Sequence, residues 1–192
     1  MARNQLIFIS GGVRSGKSSF AELYASQLAE RRNSPLYYLA TSISFDKEME
    51  KRIEHHQHTR NKSRHHWQTI EAASNLSQAM KKEHVGSVML LDCLTVWLNN
   101  EFYEEKITED TCVNSVKWHQ VKNYMIDEIK RINQHVDTLI IVSNDIFHEG
   151  INQTNYVNIY SQMLGELHQL IVKEAFQAYT VESSVPVLMK QS

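Results

Sequence analysis

One eight-residue stretch narrows the folds open to this chain more than any other. Gly11-Gly12-Val13-Arg14-Ser15-Gly16-Lys17-Ser18 satisfies G-x-x-x-x-G-K-[ST] in full, directly after the apolar run Leu6-Ile7-Phe8-Ile9 and before a helical pattern. A buried strand that ends in glycines and opens into a helix turns several backbone N–H groups toward one point. The helix adds the positive end of its dipole there, about half an elementary charge. Such a point holds phosphate. Lys17 is expected to reach the β- and γ-phosphates of a nucleoside triphosphate, and the Ser18 hydroxyl to bind Mg²⁺. A glycine-rich turn with an incidental lysine is the alternative, and the strand-loop-helix context argues against it.

The rest of the chain alternates short apolar runs with helical spacing, the pattern of a parallel α/β sheet. Leu36-Tyr37-Tyr38-Leu39-Ala40, Trp67-Gln68-Thr69-Ile70, Val88-Met89-Leu90-Leu91-Asp92 and Thr138 to Asn144 read as further strands. Phe20, Leu23, Tyr24 and Leu28 mark the first helix, and Ala72 to Lys82 reads as another. Long helices are expected from Val113, Val116, Val121, Met125, Ile129 and Ile132, and from Tyr156 through Ile171. Tyr179-Thr180-Val181 and Val185 to Met189, separated by Ser183-Ser184, suit an edge hairpin. The expected fold is therefore α/β: a P-loop nucleotide-binding, mostly parallel sheet flanked by helices, with a C-terminal edge hairpin. With 192 residues, 42% of them hydrophobic, and no repeat or linker, one domain over 1–192 is expected.

A net charge of −2 gives no whole-molecule attraction to nucleic acid or to an anionic membrane, so neither is an expected partner. No run approaches the roughly 18 apolar residues needed to span a bilayer. The two cysteines, Cys93 and Cys112, form no disulfide framework, and a cytoplasmic setting is expected.

Asp92 ends the most apolar strand, the place of an acid that holds the metal of a phosphate site. The competing role is a helix N-cap, which Asp also favours. A second group of interest is the basic segment from Lys47 to His66. His55, His56, His58, His65 and His66 are five of the chain's ten histidines. Zinc binding lacks paired cysteines here, and nucleic-acid binding has only Trp67 nearby as a stacking ring. At about 100° per residue, His56 falls near the apolar face of Met49 and Ile53, whereas His55 projects among charges. A neutral imidazole is a competent nucleophile toward phosphorus. Spacing alone does not decide between that role for His55 and a solvated polar face.

Taken together, these blocks resemble the bifunctional adenosylcobinamide kinase / adenosylcobinamide-phosphate guanylyltransferase family of cobalamin biosynthesis. The resemblance is carried by Ile9-Ser10-Gly11-Gly12-Val13-Arg14-Ser15-Gly16-Lys17-Ser18, Tyr38-Leu39-Ala40-Thr41-Ser42 and Arg52-Ile53-Glu54-His55-His56. Arg60, Trp67, Thr69 and Glu71 follow in the family's order, then Leu90-Leu91-Asp92-Cys93-Leu94-Thr95-Val96-Trp97-Leu98 and Val142-Ser143-Asn144-Asp145. It covers nearly the whole chain. It implies a RecA-like P-loop sheet and two reactions. A nucleoside triphosphate (ATP or GTP) phosphorylates the hydroxyl on the aminopropanol arm of a corrinoid, adenosylcobinamide. A histidine, matched here by His55, then takes GMP from GTP and passes it to the cobinamide phosphate. The resemblance also implies nucleotide contacts from Ala40, Thr41, Ser42, Arg60, Glu71 and Asp92, and a homo-oligomer, a trimer.

The C-terminal third departs from the family's pattern. After Asn144 the family reads E-V-G-x-G-I-V-P, whereas this chain has Asp145-Ile146-Phe147-His148-Glu149-Gly150-Ile151-Asn152-Gln153. The family helix R-x-F-R-D-x-x-G-x-x-N-Q is matched by Asn158 to Gln169, without either arginine or the aspartate. A relative with only one of the two activities, or a nucleotide-gated binding protein using the basic segment, therefore stays open beside the bifunctional enzyme.

Overall fold

The structure is a computed structural model, and it describes residues 4–42, 66–108, 115–145 and 155–192. Seven strands join one sheet: β1 (Gln5–Gly11), β2 (Leu36–Ala40), β3 (Trp67–Glu71), β4 (Val88–Asp92), β5 (Thr138–Asn144), β6 (Gln177–Glu182) and β7 (Val185–Gln191). Their order is β3-β2-β4-β5-β1-β6-β7. Every pairing is parallel except β6–β7, which closes the edge as an antiparallel hairpin. The expected architecture is present, hairpin included.

The central strands are apolar on both faces because both faces are covered. Ile7, Ile9, Leu90, Ile140 and Val142 turn toward α1 (Lys17–Arg32). Leu6, Phe8, Leu91, Leu139 and Ile141 turn the other way. They pack there against α2 (Leu94–Glu104), α3 (Ser115–His135) and α4 (Asn155–Glu174). Each large side chain so buried contributes about 1.5–3 kcal/mol of transfer free energy. The period-two alternation thus builds two cores, one on each side of the sheet.

Three expectations are corrected. Leu23 is 59% exposed, and α1 meets the sheet through Ala21, Ala25 and Ala29, with Phe20, Tyr24 and Leu28 at the margins. Two positions along a helix rotate a side chain by about 200°, so Leu23 points away from the alanine face. Val116 is likewise exposed on α3. The helix expected over Ala72 to Lys82 is instead two short 3₁₀ turns, Leu76–Ala79 and Lys82–His84. Only Leu76 there is a fully buried large side chain, Asn75 enters at φ 50°, and Ser77 gives its N–H and hydroxyl to Glu128 of α3. Polar side chains that hold the backbone this way compete with helix propagation.

Candidate functional site: a phosphate loop at the sheet's C-terminal edge

The parallel register brings the C-terminal ends of the strands level with one another. Gly11 lies beside Asn144, and Ala40 lies between Glu71 and Asp92. Ligands of open α/β sheets bind beyond this edge.

The loop between β1 and α1 is shaped by close backbone contacts. A Cβ on Gly11 would meet the Val181 carbonyl oxygen at 2.5 Å and Ser15 Oγ at 2.6 Å. Gly16 stands at φ 89°, and a Cβ there would meet Ser184 Oγ at 2.7 Å. Arg14, also in the left-handed region at φ 61°, is exposed together with Val13. Behind the loop, Ser184 N–H donates to the Ser15 carbonyl at 2.8 Å, so the β6–β7 turn is its rear wall. That turn holds Ser183 and Ser184 at φ 49° and 66°, the left-handed pair a tight hairpin requires. Ser15 Oγ is buried and has no hydrogen-bond partner among the described residues.

Lys17, the first residue of α1, is buried, and its Nζ donates to the Gly12 carbonyl at 3.2 Å. Burial lowers its pKa, while neighbouring Cys93 and Asp92 act in the opposite sense. Ser18 follows at the helix start, half-buried. Asp92 accepts a hydrogen bond from Tyr38 OH at 2.8 Å. The N-cap of α2 is Cys93, so Asp92 sits just before the cap position. A serine hydroxyl and a carboxylate are hard oxygen donors, a set that suits Mg²⁺ completed by phosphate oxygens and water.

Around this centre the described residues interlock. Thr41 is fully buried; its hydroxyl donates to the Cys93 carbonyl at 3.0 Å and accepts from Cys93 N–H at 2.9 Å. The Thr41 carbonyl accepts from Asn100 at 2.8 Å. The Thr41 side chain is thus committed to holding β2 against the start of α2, and Ser42 follows it half-buried. Glu71 is exposed at the end of β3. Burial pushes the Cys93 thiol up to about 11, so it is a neutral, packed group. Its Sγ contacts Thr95 Oγ1 at 3.0 Å, which also accepts from Asn144 Nδ2 at 2.9 Å. Tyr160 OH, from α4, donates to the Thr95 carbonyl at 2.9 Å.

The structure thus brings Gly11 to Ser18, Ala40, Thr41, Ser42, Glu71 and Asp92 to one edge. His55 and Arg60 lie outside the described residues, as does the rest of the basic segment up to His65. Sequence reasoning did not find Tyr38 as the partner of Asp92, nor Val181 and Ser184 as the wall of the loop. The available signal for the first was strand register: Tyr38 precedes Ala40 by two residues, and Ala40 pairs with Asp92.

Comparison with known proteins bears on the family of the chain as a whole. A family model described as cobinamide kinase / cobinamide phosphate guanyltransferase matches residues 7–189. The bifunctional adenosylcobalamin biosynthesis protein CobU of Escherichia coli is 26% identical over 190 residues, covering 96% of this chain and 99% of the relative. CobU of Salmonella typhimurium is 24% identical with the same coverage. CobP of Pseudomonas aeruginosa is 40% identical over 93 residues, 48% of this chain and 50% of its own. Among solved structures, the flagellar accessory protein FlaH from Methanocaldococcus jannaschii aligns with all of this chain and 80% of its own, at 13% identity and a TM-score of 0.49. A family match spanning nearly every strand and helix described above makes the assignment plain: the chain belongs to the cobinamide kinase / cobinamide phosphate guanyltransferase family.

Proposed function

We propose that this chain works as one catalytic domain that phosphorylates adenosylcobinamide and then transfers GMP from GTP to the resulting adenosylcobinamide phosphate. The observation that carries the reading is Lys17, buried at the N-terminus of α1 between the Gly12 carbonyl and the neighbourhood of Asp92. A buried ammonium there, with loop amides around it, is a ready-made counter-charge for a triphosphate.

In the kinase step the acceptor hydroxyl oxygen attacks the γ-phosphorus; the bond to the β-phosphate bridge oxygen breaks and the hydroxyl proton departs. Gly11 to Gly16 cradle the phosphates, and Lys17 neutralises charge on their oxygens. Ser18 and Asp92 would hold Mg²⁺, which adds further positive charge at the phosphates. Ala40, Ser42 and Glu71 line the same edge and are assigned to the nucleotide, together with Arg60; Thr41 contributes by fixing the position of Ser42. In the transferase step an imidazole nitrogen of His55 attacks the α-phosphorus of GTP. A P–N bond forms and pyrophosphate leaves. An oxygen of the cobinamide phosphate then attacks the same phosphorus and releases the imidazole.

The apolar edge strand β7, uncovered among the described residues with Val185, Val187, Leu188 and Met189 exposed, supports assembly with further copies, for which we propose a homotrimer. Among the described residues no helix is long and apolar enough to cross a membrane, in keeping with a cytoplasmic enzyme.

GTP labelled at the α-phosphate tests the covalent step. The protein is expected to acquire label that survives alkali, is lost in acid and disappears in His55→Ala. A wild-type protein that stays unlabelled while phosphorylating cobinamide would instead be a kinase alone. Label without phosphorylation of cobinamide would mark a transferase alone.

A further inference from the structure

The acceptor of both reactions needs a seat within reach of the phosphate loop. Among the described residues, three clefts outside the phosphate loop offer comparable room. One, between α3 and α4, is lined by Asn4, Asn133 and Glu174, at the end of the sheet where β1 and β5 begin. That is the wrong edge for reaching a γ-phosphate. The second, beside Tyr124, is ringed by Glu101, Glu104 and Glu105. Its three carboxylates have no cation among the lining residues and would repel an acceptor that leaves the first reaction carrying a phosphate. The single Glu104 of the next cleft is instead offset by Lys106.

The third cleft has a volume of about 410 Å³ and lies between the C-terminal half of α2 and the first turn of α4. Phe102, Ile107, Tyr103, Tyr156, Asn99 and Lys106 line it, with Phe102 and Ile107 buried behind the exposed Tyr103. Glu104 and Thr108 complete the lining. Tyr103 is 80% exposed, an aromatic ring left in water on a helix whose neighbouring Phe102 is entirely buried. The cleft is tied to the phosphate site by two connections. Phe102 meets Tyr156 and Tyr160 edge-on, at 5.9 and 5.5 Å between ring centres. Tyr160 in turn bonds to the Thr95 carbonyl, three residues after Asp92. Thr95 and Phe102 are two turns apart on α2, a rise of roughly 10 Å.

We infer that this cleft receives the macrocycle edge of the corrinoid acceptor, gripped between Tyr103 and Tyr156. The inference rests on the two-reaction function proposed above and adds the substrate's place to it. A corrinoid carries its reacting hydroxyl at the end of an arm many bonds long, so its ring must dock at a distance from the transferred phosphate and on the same edge of the sheet. The ring's rim bears methyl groups and neutral amides. Aromatic faces suit the former, and the Asn99 carboxamide can both donate to and accept from the latter. The volume is that of a partial site, which takes one side of so large a ligand and leaves the rest on the surface.

The test uses the full chain and cobinamide itself, whose visible absorbance reports binding in equilibrium dialysis. Tyr103→Ala suits this because its ring is mostly in solvent and folding does not depend on it. Cobinamide affinity, and its KM in the kinase reaction, are expected to weaken about tenfold in Tyr103→Ala, the usual scale for removing an aromatic anchor. Tyr103→Phe restores most of that loss. The KM for the nucleotide and labelling by α-labelled GTP, neither of which needs the corrinoid, stay as in wild type. Glu105→Ala, in the acidic cleft, leaves cobinamide binding unchanged. Cobinamide affinity equal to wild type in Tyr103→Ala, or weakened only in Glu105→Ala, overturns the assignment of the cleft and leaves the proposed reactions standing. Wild-type protein that binds no cobinamide overturns the function, and the cleft assignment with it.

Discussion

The phosphate loop and the N-terminal part of helix α4 lie toward the same edge of the sheet, and the two elements are held by different means. The loop is held by backbone. Gly11 leaves no room for a Cβ against Val181, Gly16 sits at a φ that side chains rarely adopt, and Ser184 N–H pins the Ser15 carbonyl. Helix α4 is held by side-chain tips: Tyr160 OH on Thr95, and His168 Nε2 against Ser143 Oγ at 2.7 Å. Where the family pattern has two arginines and an aspartate, α4 carries Asn158, Ser161 and Gln162. It is docked through Met163, Leu164, Leu167 and Ile171 in the core and through those two polar anchors. A site built from main-chain geometry has few sequence solutions, whereas a docked helix has many.

The largest effect that probes this contrast belongs to Lys17→Ala. Turnover is expected to fall by about 10²-fold or more, the usual cost of losing one charge-stabilising donor. A purified variant with more than half of wild-type kcat would show that the loop does not carry the chemistry. Next comes Gly16→Ala, which acts where the two regions meet. The unfavourable φ and the contact with Ser184 are expected to remove roughly 2–3 kcal/mol of stability and to weaken nucleotide binding as the loop shifts. Urea unfolding within about 0.5 kcal/mol of wild type would mean that the hairpin yields and is no rear wall.

The smallest effect tests the side-chain anchoring of α4. Burial lowers the His168 pKa to about 4, with Asp145 acting the other way. The folded protein therefore keeps the ring neutral while the unfolded chain protonates it near its ordinary value. Stability from this group is complete above about pH 6.5 and is lost as pH falls toward about 4. Between about pH 7 and about pH 5, wild type should lose about 2 kcal/mol more unfolding free energy than His168→Asn. Parallel curves for the two proteins would mean that His168 is not an anchor of the kind described.

Much of the molecule was legible in advance because its signals are local. Period-two apolar runs marked the strands, and Ser183-Ser184 marked the hairpin turn, down to its position. The stretch from Ala72 to Lys82 was not legible, because its conformation is decided by Glu128, some fifty residues away, which takes up the donors of Ser77. Tyr38 and Asp92 were each visible as strand residues, but nothing in their separation of 54 positions joins them. Leu23 misled because spacing identifies a helix more reliably than it identifies which side of that helix meets the sheet.

By itself the amino-acid order determined the strand-loop-helix that binds phosphate, the two-sided burial of the central strands and the family to which the chain belongs. Each of these depends on residues adjacent in the chain or on composition along one element. Only the tertiary structure decided what stands behind the loop, which group holds Asp92, and how α4 stays docked without the family's arginines. Those contacts join β1 to the C-terminal hairpin, β2 to β4 and α4 to α2, and each pairing is set by strand order and register that no short window of sequence contains.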